Sequence, residues 1–324
     1  MKKITALLAA CAAVSVTAAV ASAETWDMPL AYPATNFHSE NAVEFAACVA
    51  EGTDGALEIV THPNGSLFSG SDIKRAVQTG QAPIGERLIS AHANENPLFG
   101  IDSVPFLATS FEASEKLWAA AEEKMKEVLE AQNLVYIYAV AWPPQGLYGK
   151  QEFNGIEDLQ GVKFRAYNAA TARIAELAGM APVQIEAAEL SQALATGVVD
   201  SFISSGSTGV DSKVWESLTH FYDVQAWLPR NIVFVNKSAF EGLDEATQQV
   251  LLDCGATAGA EGTRIAEELT AGYLEELRAN GMTVAEPSDQ LREELNGLGE
   301  TMTEEWIAAA GDDGAAIIEA YRAQ

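Results

Sequence analysis

The sequence has few basic residues. Only 19 of its 324 residues are Lys or Arg, against 46 Asp and Glu, so the formal net charge is -27. A surface this acidic repels nucleic-acid phosphates and anionic membrane faces. We therefore expect no nucleic-acid partner and no binding to anionic lipid.

Residues that ligate transition metals are also scarce. The four histidines and three cysteines are scattered, without an HxxxH, HExxH or CxxC spacing. A metal site needs several such ligands that converge. The sequence also lacks a P-loop, a GxGxxG run and a GxSxG run. These motifs mark nucleotide sites and serine hydrolases. We therefore expect no metal and no cofactor.

The first 23 residues have the features of an export signal. Lys2 and Lys3 precede an apolar run over residues 4–20, and Ala21-Ser22-Ala23 fits the small-x-small rule for cleavage. The run is shorter than the roughly 20 residues that a spanning helix needs. We therefore predict cleavage after Ala23 and a periplasmic mature protein. Lipidation at Cys11 is the less favoured alternative, because the apolar run continues past it.

Strand and helix patterns alternate along the mature chain, which predicts an α/β fold with parallel or mixed sheets. A polar, glycine-containing connector near residues 154–161 divides the chain into a first domain (24–150) and a second (151–240). Residues 241–324 complete both domains. Within them, 244–278 form a nearly uninterrupted helical pattern, roughly 50 Å long at 1.5 Å per residue, which could brace both domains.

Two cysteines follow the predicted signal, Cys48 and Cys254, and both lie in alanine-rich helical patterns. In an oxidising compartment they could pair. A buried free cysteine, however, behaves as a small hydrophobic residue. We expect two unpaired thiols in the core.

Arg165 is a rare cation in this acidic chain. If residues 162–166 form a strand, Lys163 and Arg165 project to one face and Phe164 to the other. Ligands of α/β sheets collect at the carboxyl ends of strands. Composition alone would instead favour a surface salt bridge for this arginine.

Two runs carry a resemblance to a known family. Asp158-Leu159-Gln160-Gly161-Val162-Lys163-Phe164-Arg165 and, further on, Glu189-Leu190-Ser191-Gln192-Ala193-Leu194-Ala195-Thr196-Gly197-Val198-Val199-Asp200 resemble the solute-binding proteins of tripartite ATP-independent periplasmic (TRAP) transporters, of DctP type. The resemblance implies a two-domain periplasmic-binding-protein (Venus flytrap) fold, binding rather than catalysis, and a membrane permease as partner. It also implies that Arg165 binds a substrate carboxylate. We expect a monomer.

The sequence departs from this family at two positions. Many relatives carry a second arginine where Gln145 stands, and relatives that bind sialic acid offer an asparagine where Ser205 stands. Without a second arginine, a second carboxylate would face a neutral amide. We therefore expect an organic acid with one carboxylate and an apolar or aromatic body. A C4-dicarboxylate binder, with Lys150 or main-chain amides replacing the arginine, and a secreted two-domain hydrolase remain alternatives.

Other candidate ligand-binding residues lie in segments expected to border the cleft. Glu86 and Asn231 could form hydrogen bonds with a hydroxyl, keto or amino substituent of the ligand. Aromatic residues could cover the body of the ligand, although core packing explains each of them equally well; they are Tyr32, Phe37, Trp142, Tyr148 and Trp227.

Overall fold

The computed structural model describes residues 23–324. The predicted signal peptide, with Cys11, therefore lies outside the described residues apart from Ala23. No helix among residues 23–324 is both long and apolar enough to cross a membrane.

Strands and helices alternate as the sequence predicts. The strands are β1 (Glu24–Pro29), β2 (Leu57–His62), β3 (Ile84–Leu88), β4 (Leu134–Ala141), β5 (Gln145–Gly149), β6 (Lys163–Ala166), β7 (Ala181–Gln184), β8 (Ser201–Ser205), β9 (His220–Tyr222), β10 (Arg230–Asn236) and β11 (Thr283–Ala285). The helices are α1 (Phe37–Gly52), α2 (Ile73–Gln78), α3 (Phe111–Glu130), α4 (Ala169–Leu177), α5 (Leu190–Ala195), α6 (Gly206–Asp211), α7 (Lys237–Gly242), α8 (Glu245–Ala279) and α9 (Asp289–Arg322).

The strands form two lobes. In the first lobe, β1 pairs with β2, and a second sheet has the order β3-β10-β4. In the second lobe, six strands have the order β11-β9-β5-β8-β6-β7. Both lobes are mixed α/β structures, which confirms the predicted two-domain α/β class. Strand β10 pairs with β3 and β4 of the first lobe, so the segment 151–240 contributes strands to both lobes.

The long helix α8 braces the two lobes, as predicted. It packs on α1 and β4 in the first lobe and on α6 and β11 in the second. Glycines allow the close approach to β4. A Cβ at Gly255 would lie 2.6 Å from a side-chain carbon of Ile137, and one at Gly262 would lie 2.7 Å from Val140. Larger residues at these positions would therefore push α8 off the sheet.

Cys48 and Cys254 form a disulfide, so the expectation of two unpaired thiols is wrong. Cys48 lies on α1 and Cys254 on α8, and these helices pack side by side. Their Cα atoms are 5.9 Å apart, within the range that a disulfide spans. The residues are 206 positions apart in sequence. Local pattern gives no information about a contact this distant.

Candidate functional site

A pocket lies between the two lobes and receives side chains from both. It encloses about 420 Å³ of space not occupied by protein atoms, part of it at the open mouth. Its walls come from the ends of β3, β5, β6 and β8, from α6, and from the loops that follow β1, β4, β6 and β7 or precede β10. The lining residues are Tyr32, Arg87, Leu88, Trp142, Gln145, Arg165, Tyr167, Glu186, Ala187, Ser204, Thr208 and Pro229.

Arg165 lies on β6 and points into this pocket. Strand alternation buries Phe164 in the hydrophobic core and turns Arg165 to the other face, as the sequence predicts. Its Nε donates a hydrogen bond to the Ile185 carbonyl oxygen at 2.9 Å. Its guanidinium carbon lies 4.9 Å from the centre of the Tyr167 ring. These contacts orient the side chain along the pocket wall.

Arg165 carries a charge that no carboxylate in residues 23–324 balances by an ion pair. The side chain is only 3% exposed. Burial lowers the pKa of Arg165 to about 10, so the guanidinium remains charged at neutral pH. A buried cation without a counter-ion is costly, and an anionic ligand would relieve that cost. The sequence-based surface salt bridge is therefore wrong for this residue.

A second arginine, Arg87, also lines the pocket, and the sequence analysis missed it. It lies on β3, and its Nη2 is 3.1 Å and 3.3 Å from the two carboxylate oxygens of Glu186. Glu186 precedes a short helical turn in the second lobe, so this ion pair crosses between the lobes. The charged residues of the pocket wall are thus two arginines and one glutamate, which leaves one net positive charge.

Glu86, the residue before Arg87, does not line the pocket. It is 2% exposed, and its Oε1 lies 3.1 Å from Nδ1 of His38. Burial is the main cause that lowers the pKa of His38. Neighbouring residues of a strand point to opposite faces, so a shift of one position exchanges the pocket side for the core side. The sequence pointed to the right strand and to the wrong face.

Gln145 lies in the pocket wall, and both ends of its amide are engaged by protein. Its Nε2 donates to the Pro143 carbonyl oxygen at 2.9 Å, and its Oε1 accepts from the Tyr167 hydroxyl at 3.1 Å. The Tyr167 hydroxyl in turn accepts from Nε1 of Trp227 at 3.1 Å. Burial raises the pKa of Tyr167, which keeps this hydroxyl neutral. The network fixes a neutral part of the wall beside Arg165, whose guanidinium packs on the Tyr167 ring.

The predicted aromatic residues divide into two groups. Tyr32 and Trp142 line the pocket, with ring centroids 4.7 Å apart. Phe37 packs on the far side of Trp142, with centroids 5.3 Å apart. Tyr148 stacks on Phe202 in the separate core of the second lobe. Trp227 supports Tyr167 through the hydrogen bond described above.

The remaining candidates do not line the pocket. Asn231 and Ser205 each hold a residue that does. Asn231 accepts a hydrogen bond from Nε1 of Trp142 at 2.8 Å and so fixes that ring. Ser205 caps α6, with its Oγ accepting from the Thr208 amide at 3.2 Å. Lys150 is exposed and lies 3.4 Å from Asp200, away from the pocket.

Ser204 and Thr208 add two small hydroxyl side chains to the second-lobe wall. The Ser204 hydroxyl donates to the Thr208 hydroxyl oxygen at 2.9 Å. Neither was singled out in the sequence, nor were Tyr167 and Glu186. Ser204 precedes the predicted Ser205 by one residue, which is again the alternation of a strand.

Two further polar contacts join the lobes around the pocket. Asn36, the N-cap of α1, donates to Oδ2 of Asp211 at 2.7 Å. Asn168, the N-cap of α4, donates to the Ser90 hydroxyl at 3.0 Å. Together with the Arg87–Glu186 pair, they hold the lobes against each other. The two lobes are therefore in direct contact around the pocket in the described structure.

Residues 23–324 contain no group of three or more His, Cys, Asp or Glu side chains placed to hold a metal ion. The chemistry available in the pocket is that of two guanidinium groups, one carboxylate, neutral hydroxyl and amide groups, and aromatic surface.

These features agree with comparisons to known proteins. Residues 31–309 match the family described as bacterial extracellular solute-binding protein, family 7 (DctP). The chain belongs to this family, which confirms the resemblance seen in the sequence.

Several solved structures share the fold closely. A marine metagenome TRAP solute-binding protein specific for pyroglutamate is 55% identical, with a TM-score of 0.92 over 93% of this chain and 99% of that one. DctP6 of Bordetella pertussis, a receptor that binds pyroglutamic acid, is 46% identical, with a TM-score of 0.91 over 93% of this chain and 100% of that one. DctP7 of the same organism, which also binds pyroglutamic acid, is 43% identical, with a TM-score of 0.92 over the same shares.

Proposed function

We propose that this chain is the solute-binding component of a TRAP transporter that captures a small monocarboxylate through Arg165. One observation carries the proposal. Arg165 is a buried, charged guanidinium that faces the pocket between the lobes and forms no ion pair with any residue in 23–324. A planar guanidinium can hold a carboxylate by two parallel hydrogen bonds.

The charge of the pocket wall favours one carboxylate. Arg87 is already paired with Glu186, so only Arg165 offers an uncompensated charge. A dicarboxylate would leave its second carboxylate without a free cation, and burying an unpaired charge is costly. Tyr32, Trp142 and the neutral amide of Gln145 suit a compact, uncharged body.

Pyroglutamate is the first candidate, because three solved relatives bind it. It is a monocarboxylate with a neutral five-membered lactam ring. Its carboxylate would pair with Arg165, and its ring would pack on Tyr32 and Trp142. Micromolar binding needs about -8 kcal/mol, more than one charged pair supplies, so ring burial and lobe closure would contribute the remainder.

In this proposal the protein performs no covalent chemistry. It is exported, with its signal cleaved after Ala23, and acts as a monomer in the periplasm. The lobes close over the acid, and the closed protein delivers it unchanged to the membrane permease. Behind the wall, Phe37 and Asn231 hold Trp142, and Ser205 holds Thr208. Glu86 holds His38, which does not line the pocket.

Calorimetric titration of the exported protein tests the proposal. We expect pyroglutamate to bind at least about tenfold more tightly than succinate or malate, a difference of about 1.4 kcal/mol. A tenfold preference for succinate would instead support the C4-dicarboxylate alternative. Mass spectrometry of the recovered ligand separates the hydrolase alternative, because ring opening would convert pyroglutamate to glutamate.

A further inference from the structure

The ion pair between Arg87 and Glu186 is built into the pocket. Arg87 is 4% exposed and Glu186 is 23% exposed, although they come from different lobes. Gly70 closes over the outer side of the pair. A Cβ at that position would lie 2.6 Å from Nη1 of Arg87 and 2.6 Å from Oε2 of Glu186. A larger residue at this position would have to displace the end of Arg87 or of Glu186 from the pair.

Glu186 does not fully satisfy Arg87. Both carboxylate oxygens accept from the same nitrogen, Nη2. The Nε atom of Arg87 is buried and has no hydrogen-bond partner among the described residues. A guanidinium holds a carboxylate best when two of its nitrogens donate in parallel. Glu186 therefore neutralises the charge of Arg87 but leaves its Nε unused, and a carboxylate from the pocket could use Arg87 only if Glu186 lost its charge.

Without Glu186, the pocket would present two buried guanidinium groups instead of one. Arg87 and Arg165 both line it. They are close enough to interact, because the charge of Arg87 adds to the effect of burial in lowering the pKa of Arg165. Two uncompensated cations in one pocket are the arrangement that accepts a dicarboxylate.

We propose that Glu186 is a specificity-determining residue: its carboxylate occupies Arg87 across the cleft and thereby excludes dicarboxylates from the pocket. The inference rests on the proposed function, since it assumes that Arg165 binds the ligand carboxylate. Selectivity for a ligand with one carboxylate then depends on the carboxylate of Glu186 rather than on the absence of an arginine at position 145.

The test is the Glu186→Gln variant, which removes the charge and keeps an oxygen that can accept from Nη2 of Arg87 as Glu186 does. Calorimetry compares pyroglutamate with glutarate, a five-carbon dicarboxylate. We take the ratio of the affinity for glutarate to the affinity for pyroglutamate. We expect this ratio to be at least about tenfold higher in the variant than in the original protein. Loss of its partner leaves Arg87 buried and unpaired, so we also expect a lower Tm that recovers when glutarate is added.

Two controls separate local from general electrostatic effects. Glu176→Gln removes the same charge at an exposed position that pairs with Arg173, and it should leave the affinity ratio unchanged. The double variant Arg87→Met/Glu186→Gln should lose the gain in glutarate affinity, because the cation that accepts the second carboxylate is gone.

The outcomes distinguish the inference from the proposed function. If the original protein binds pyroglutamate and Glu186→Gln shows an unchanged ratio, the inference is wrong and the proposed function stands. An equal gain in Glu176→Gln, or a gain that persists without Arg87, also contradicts the inference. The proposed function fails on a different result. In that case the original protein binds no monocarboxylate, and its affinity for glutarate equals that of Arg165→Ala.

Discussion

The two walls of the pocket use the same side chain differently. In the second-lobe wall, Arg165 is buried without an ion pair and faces the cavity. In the first-lobe wall, Arg87 is equally buried but is paired with Glu186 from across the cleft. Arg165 therefore keeps its charge unpaired in the pocket, whereas the charge of Arg87 is neutralised by an ion pair that joins the lobes. The neighbouring carboxylate, and not the residue type, decides which role a buried arginine takes.

This difference changes the reason for expecting a monocarboxylate. From the sequence, the argument depends on the neutral Gln145 at a position where many relatives have arginine. The structure places a second arginine in the pocket after all, at residue 87, and neutralises it with Glu186. The net charge is the same as expected, but it arises from different residues.

The largest expected effect comes from removing the unpaired cation. Arg165→Ala should weaken pyroglutamate binding by about 4 kcal/mol, close to a thousandfold in Kd, because the ligand carboxylate would be buried without a partner. Arg165→Lys should lose less because it keeps the positive charge, but it should still lose affinity because an ammonium group cannot form two parallel hydrogen bonds. Calorimetry measures both. Arg264→Lys, at an exposed arginine of α8, is the matched control. Unchanged affinity in both Arg165 variants would refute the assignment.

The second prediction concerns the Cys48–Cys254 disulfide, which lies in the first lobe. Replacing both cysteines by serine should lower the free energy of unfolding by about 3 kcal/mol. Chemical denaturation followed by circular dichroism measures this loss. Ligand affinity should change little, because the disulfide joins α1 and α8 away from the pocket wall. A large loss of affinity with unchanged stability would show that the disulfide controls closure instead.

A third prediction weakens the contact between Asn36 and Asp211. Asn36→Asp keeps the N-cap acceptor of α1 and places a second carboxylate against Asp211, whose pKa burial raises to about 6. At pH 7.5 the two charges repel and oppose closure, so Kd should rise about tenfold. The loss should shrink near pH 5, where one carboxyl binds a proton. Asn280→Asp adds the same charge at the exposed end of α8 as a control. A pH-independent loss would point to a structural defect.

The last prediction concerns stability rather than binding, at Asp102, which accepts a hydrogen bond from the Arg230 amide at 2.7 Å in the first lobe. Burial raises the pKa of Asp102 from 3.8 to about 7. The folded state therefore binds a proton that the unfolded state releases. The resulting stability is fully present below pH 3.8 and is lost as pH rises through about 7. Asp102→Asn should flatten this part of the stability profile between pH 5 and 8. An identical slope in both proteins would contradict the assignment.

The sequence predicted the parts of the site that depend on local periodicity. The strand around Arg165 is present, and its alternation turns Arg165 toward the pocket and Phe164 into the core. Glu86 and Ser205 were each one residue away from the pocket-lining Arg87 and Ser204. A strand pattern identifies the segment, but which face meets the cleft depends on the register with strands distant in sequence.

The sequence by itself determined the class of this protein. Its alternating strand and helix patterns indicate an α/β fold with Arg165 in a strand, and the resemblance of its two runs to a known family implies the two-lobe binding fold. These features are local, because they follow from the periodicity and composition of short segments. Only the tertiary structure decided which distant groups meet. The Cys48–Cys254 bond spans 206 residues and the Arg87–Glu186 pair spans 99, and pairs this far apart in one chain are set by packing of the lobes.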